Sequence, residues 1–137
     1  MTIKMFREYE ALIEKHGAIN RRLRLLYYVR DGVDLPDRPL DQTHVSGGRP
    51  PDSVGNLVGQ IDQLERQQQE CCEKIKPLQA ELIEWAQTLP EQQERIIWLR
   101  NIVGMSWKKI AEECAYSERH CKRIHAAALE RCQKEAI

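Results

Sequence analysis

Two long apolar seams, each stepping by three and four residues, constrain this sequence more than any other feature. The first runs through Met5, Tyr9, Leu12, His16, Ile19, Leu23 and Leu26. The second runs through Val54, Leu57, Ile61, Leu64, Gln68, Cys71, Ile75, Leu78, Leu82, Trp85 and Leu89. Such spacing keeps one stripe of a helix apolar over many turns, and the stripe needs a partner to cover it. Between the seams, residues 31–53 gather Gly32, Pro36, Pro39, Gly47, Gly48, Pro50, Pro51 and several aspartates, which reads as a long irregular loop. Asp52 or Ser53 is suited to cap the second helix. Pro77 predicts a kink or break near Ile75–Lys76 because it removes a backbone donor.

The seams fit each other as an antiparallel hairpin. Pairing Leu26 with Leu57, Leu23 with Ile61, Ile19 with Leu64, Leu12 with Cys71 and Tyr9 with Ile75 leaves His16 and Gln68 in one layer. A lone polar group at that depth costs free energy, so a register that matches polar to polar is favoured. A parallel dimer of the same helices is the competing arrangement.

Past residue 89 the pattern shortens. Pro90 suits the first position of a helix, with Glu91 and Glu94 near its positive end. Ile96, Leu99 and Val103 then share a face, and Gly104 ends the helix. Ser106 caps a helix from Trp107 to Cys114, and Ser117 caps another from Glu118 to about Cys132. Numbered from Trp107, the inward positions are Ile110, Ala111, Cys114, Tyr116, Cys121 and Ile124. Apolar residues at this spacing hold two short helices at a crossing, the helix-turn-helix pattern. The opposite face of the last helix carries Glu118, Arg119, Lys122 and Arg123, where arginine or lysine suits the guanine edge. Lys108 and Lys109 open the preceding helix, with Ser117 at the start of the next; such positions commonly meet phosphate. His125, further along, is expected to reach a phosphate as well.

Charge supports this division. The 137 residues balance to a formal net charge of zero, but residues 1–30 carry seven Lys/Arg against three acids, 31–89 five against eleven, and 90–137 nine against seven. An acidic middle thus separates two mildly basic ends, and local charge is what a nucleic acid feels. No apolar run is long enough for a membrane span, and the first ten residues lack a signal-peptide centre. Together with five cysteines of no ribbon spacing, this predicts reduced thiols and a cytoplasmic protein.

Sharper chemistry finds less support. Cys114, His120, Cys121, His125 and Cys132 raise zinc, but Cys114 and Cys121 fall on positions the crossing needs apolar, and no CxxC pair is present. There is no phosphate loop, nucleophile elbow or HExxH, and the acids of the second helix are spread over solvated positions. The expectation is no enzyme, no metal, no cofactor and no small-molecule substrate.

The stretch "LPEQQERIIWLRNIVGMSWKKIAEECAYSERHCKRIHAAALERC" resembles region 4 of sigma-70 family factors. It is similar also to the region 4-like domain of small phage and prophage regulators of the ArpU and RinA types. The "LPEQQERIIWLR" opening, the G-x-S-W-x-x-I-A step and the Y-S-E-R helix start carry the likeness. The resemblance implies a DNA-binding transcriptional regulator whose recognition helix, 118–132, reads a major groove. Double-stranded DNA is then the partner, with RNA polymerase contact and homodimerisation as ways to add affinity. Ala115 departs from the glycine usual at the turn; if its φ is positive, alanine costs about 1 kcal/mol there. No aromatic-rich promoter-melting segment is present, so a complete sigma factor is not expected.

The expected fold is therefore all-α: a long antiparallel helical hairpin (residues 1–89, loop at 31–53) followed by a compact three-helix domain (residues 90–137). Two other functions stay open: a helical module that docks on RNA polymerase without reading bases, and a phage small-terminase-like packaging subunit.

Overall fold

The computed structural model describes residues 1–32 and 52–132. Every element among them is helical: α1 (Ile3–Asp31), α2 (Asp52–Ala86), α3 (Glu91–Ile97), which runs on as a π-helical turn (Trp98–Val103), α4 (Trp107–Cys114) and α5 (Glu118–Leu129). No described helix is long and apolar enough to cross a membrane. The expected loop lies outside the described residues except for its edges, as do the capping side chains of Asp52 and Ser53. The chain divides into two compact units, Met1–Leu12 with Lys74–Ile137, and Ile13–Glu73.

Within Ile13–Glu73, α1 and α2 lie antiparallel. Ile19, Leu23, Ile61 and Cys71 are buried, as their seam positions predict. The register differs from the expected one. His16 Nε2 sits 3.2 Å from Cys72 Sγ, and Gln68 donates to Asn20 Oδ1. His16 and Gln68 do belong to one polar network, but Asn20 joins them, its Nδ2 lying 3.3 Å from His16 Nδ1. The helices therefore stand one turn along from the pairing expected above. A shift of one turn keeps apolar stripe on apolar stripe, so small polar preferences decide it. Asn20, one turn from His16 on the same helix, tips that balance.

Within the other unit, the start of α1 packs with the end of α2 and with α3–α5. Phe6 and Tyr9 are fully or almost fully buried, alongside Leu82, Ala86, Ile96, Ile97 and Ala128. Phe6 meets Trp85 edge-on at 6.3 Å between ring centroids. Tyr9 Oη accepts from Gln79 Nε2 at 3.4 Å, not opposite Ile75 as the expected register has it. The α2 helix passes Pro77 without a break. Pro77 and Glu73, the residue whose carbonyl loses its donor, are both exposed, so the lost hydrogen bond falls on the solvent side of the helix.

Helix α3 begins one residue later than expected, with Pro90 as the cap at ψ 148°. Beyond Ile97 the turns widen to π geometry until Gly104, whose φ of 87° only glycine adopts freely. Ile96 is buried and Leu99 packs on the core as predicted, whereas Val103 is 60% exposed. The wider π turn carries Val103 off the face that a regular helix would give it.

Candidate nucleic-acid interface

Three local devices build the surface around α4 and α5. Ser106 Oγ accepts from the Lys109 amide at 3.3 Å and starts α4. Ala115, at φ 58° and ψ 37°, ends α4 in the left-handed region, and the Tyr116 amide donates back to the Ala111 carbonyl at 3.1 Å. That is a glycine-type C-terminal cap occupied by alanine. Ser117 Oγ then accepts from the His120 amide at 3.1 Å and starts α5. The two serine caps follow from residue type at fixed offsets, as the sequence predicts; the left-handed turn at Ala115 does not, and only the family resemblance pointed to it.

The crossing is held by a core of Ile96, Ile110, Cys121 and Ile124, with Leu99, Met105, Trp107, Ala111 and Cys114 packed against it. Burial raises the thiol pKa of Cys121, so this cysteine acts as a small apolar residue. Five of the six predicted inward positions are in place. Tyr116 is the exception, 39% exposed. It cannot enter the core because its hydroxyl is engaged at the surface: Gln92 Nε2 donates to it at 2.7 Å, and its ring stands edge-on to His120 at 4.7 Å.

With α5 so held, Ser117, Glu118, Arg119, Lys122 and Arg123 are all exposed, as are Lys108 and Lys109 on α4. Counting 100° per residue, Glu118, Lys122, Arg119 and Arg123 span one continuous face opposite Cys121 and Ile124. Among the described residues no ion pair engages Arg119, Lys122, Arg123, Lys108 or Lys109, so their charges are available to a ligand. Glu112 and Glu113 are also exposed, one turn beyond the two lysines. Arg95 was not singled out in the sequence; its guanidinium donates to the Glu113 carbonyl at 3.3 Å and closes the end of α4.

His125 requires a correction. It is 9% exposed and sits among Phe6 (6.1 Å between centroids) and Trp107 (5.2 Å, edge-on), out of reach of any phosphate. Its Nε2 lies 2.8 Å from Asn101 Oδ1, and the Asn101 carbonyl accepts from Tyr9 Oη at 2.9 Å. Burial, with Arg100 and Arg7 nearby, lowers its pKa to about 4, so the ring is neutral near pH 7. The helical wheel carried this signal: His125 falls 40° from Cys121, on the buried arc. The thiols and imidazoles weighed for zinc do not converge; no three or more His, Cys, Asp or Glu among the described residues could hold a metal ion together.

This geometry meets an independent comparison. Residues 79–132 match the family model described as "Sigma-70, region 4". The helix-turn-helix is sigma-70 region 4-like. The match covers less than half of the chain and begins inside α2, ten residues before the likeness read from the sequence. Gln79, Leu82, Trp85, Ala86 and Leu89 thus fall within it, and Leu82, Ala86 and Leu89 are buried in the same unit. No curated protein and no solved structure matches the chain.

Proposed function

We propose that this protein is a sequence-specific DNA-binding transcriptional regulator of the phage or prophage type, and not an enzyme. One observation carries the reading: a capped, sigma region 4-like recognition helix presents Arg119, Lys122 and Arg123 together on a solvent face, with no ion pair to them among the described residues. Arg119 and Arg123 read base edges in a major groove, Lys122 lies beside them, and Glu118 accepts from a cytosine amino group. Ser117, Lys108 and Lys109 hold the backbone. Recognition belongs to residues 90–137, on a scaffold completed by Phe6 and Tyr9. The α1 and α2 stretches of the unit Ile13–Glu73 serve as a helical arm for a second copy or for RNA polymerase. Such an arm supplies affinity that one small helix-turn-helix lacks. The site of action is the cytoplasm, where the DNA is.

A polymerase-docking module that reads no bases is the second reading, since region 4-like modules serve protein contact as well. The face of α5 argues for DNA: it is charged, where a pure protein-docking helix offers an apolar stripe. Mobility-shift selection from random duplex DNA, with and without RNA polymerase, separates the two. Enrichment of one motif by the protein alone supports base reading; enrichment only with polymerase, or none, supports docking.

A further inference from the structure

Tyr116 was expected in the core, yet it stands at the surface, strapped between α3 and the first turn of α5. Its oxygen carries one proton and two lone pairs. The Gln92 amide donates to that oxygen at 2.7 Å, which commits Tyr116 as an acceptor inward and leaves its O–H to donate outward. Among the described residues no acceptor takes that proton. The ring is fixed as well, edge-on to His120 at 4.7 Å.

The position of His120 tells what lies on that side. On the helical wheel of α5 it falls about 60° from Arg123, on the flank between the exposed face and the buried arc. When the face bearing Arg119 and Arg123 enters a major groove, the flanks of the helix turn toward the sugar–phosphate walls. An exposed, oriented hydroxyl donor on such a flank meets phosphate oxygens, which only accept.

We propose that Tyr116 is a DNA-backbone contact: its O–H donates to a phosphate oxygen while Gln92 holds the phenol in place. The proposal rests on the DNA-binding reading above, but not on base reading, because a phosphate contact is blind to sequence. It also differs from the lysine contacts. A neutral donor displaces no counterion, so it adds affinity without adding to the salt dependence.

The test is Tyr116→Phe, which removes one oxygen and keeps the ring against His120. Binding to a preferred duplex and to a random-sequence duplex should weaken by the same factor, about tenfold for a hydrogen bond to a charged group. The slope of log affinity against log salt should not change. Lys108→Ala, by contrast, should flatten that slope by about one. Gln92→Leu should weaken both duplexes less than Tyr116→Phe, and the double variant should be no weaker than Tyr116→Phe alone. Unchanged affinity of Tyr116→Phe overturns the proposal, as does a loss confined to the preferred duplex. If the wild-type chain binds duplexes without preference but Tyr116→Phe still weakens them, base reading fails and the phosphate contact stands. If the chain binds no duplex at low salt, both fall.

Discussion

His125 Nε2 lies 2.8 Å from Asn101 Oδ1, which bonds the middle of α5 to the π-helical turn ahead of the helix-turn-helix. The π geometry gives Asn101 a double role. Its side chain meets His125 and its carbonyl accepts from Tyr9 Oη, so residues 9, 101 and 125 are fixed by one short polar path. Around it, Arg100 stacks on Trp107 at 4.7 Å, and Trp107 stands edge-on to the His125 ring. The rotation of α5, and hence the direction of Arg119 and Arg123, depends on a histidine that never touches solvent freely.

A pH dependence follows from that burial. The folded-state pKa of about 4 lies below the ordinary 6.5, first through desolvation and then through Arg100 and Arg7. Between these values the unfolded chain takes up a proton that the folded chain refuses. The contribution is therefore complete above about pH 6.5, is lost as pH falls toward 4, and changes little below that. Its size is roughly 2–3 kcal/mol. Urea unfolding at pH 7.5 and 4.5 should show the loss, and His125→Gln should lower stability at pH 7.5 while shrinking the difference between the two.

Ala115 stores strain that glycine would release. Its φ of 58° places a Cβ where the backbone resists it. Ala115→Gly should raise the unfolding free energy by about 0.5–1 kcal/mol, the left-handed gain exceeding the extra entropy of the unfolded glycine. Chemical denaturation of the two proteins side by side measures it. An equal or lower midpoint with unchanged slope means that the turn is not strained.

Phe6, the only phenylalanine of the chain, is fully buried against Trp85 and His125, although both lie far from it in sequence. Phe6→Ala should cost about 3–5 kcal/mol of stability in the unit that holds the helix-turn-helix. Amide exchange of α3–α5 should speed up accordingly. Protection unchanged in those helices would mean that residues 90–132 stand without the start of α1.

How much of this was legible in the sequence depended on range. Ser106, Ser117 and Gly104 act within five residues of their partners, and residue type placed them, whereas the left-handed Ala115 was marked only by the glycine usual at that turn in the family it resembles. The seams were equally plain, because burial of Ile19, Leu23, Ile61 and Cys71 needs only period. Register was not, since sliding two such helices by one turn preserves the apolar match, and Asn20, just off the seam, settled it. Met5 fits the long heptad better than Phe6; only the third dimension shows that this end of α1 serves a different core. Tyr116 and His125 exchanged roles with expectation for one reason. Aromatic and polar character together allow either environment, and the hydrogen-bond partner, Gln92 or Asn101, decides.

The central claim is that Arg119 and Arg123 read bases. The most direct measurement is the affinity of wild type, Arg119→Ala and Arg123→Ala for a selected duplex and for its single-base variants, across a salt series. Base reading predicts that each alanine costs about 1–3 kcal/mol on the preferred duplex and relaxes the choice at one base pair. If both variants bind DNA as wild type does while binding to RNA polymerase falls, α5 docks on protein, and the DNA-reading account is wrong.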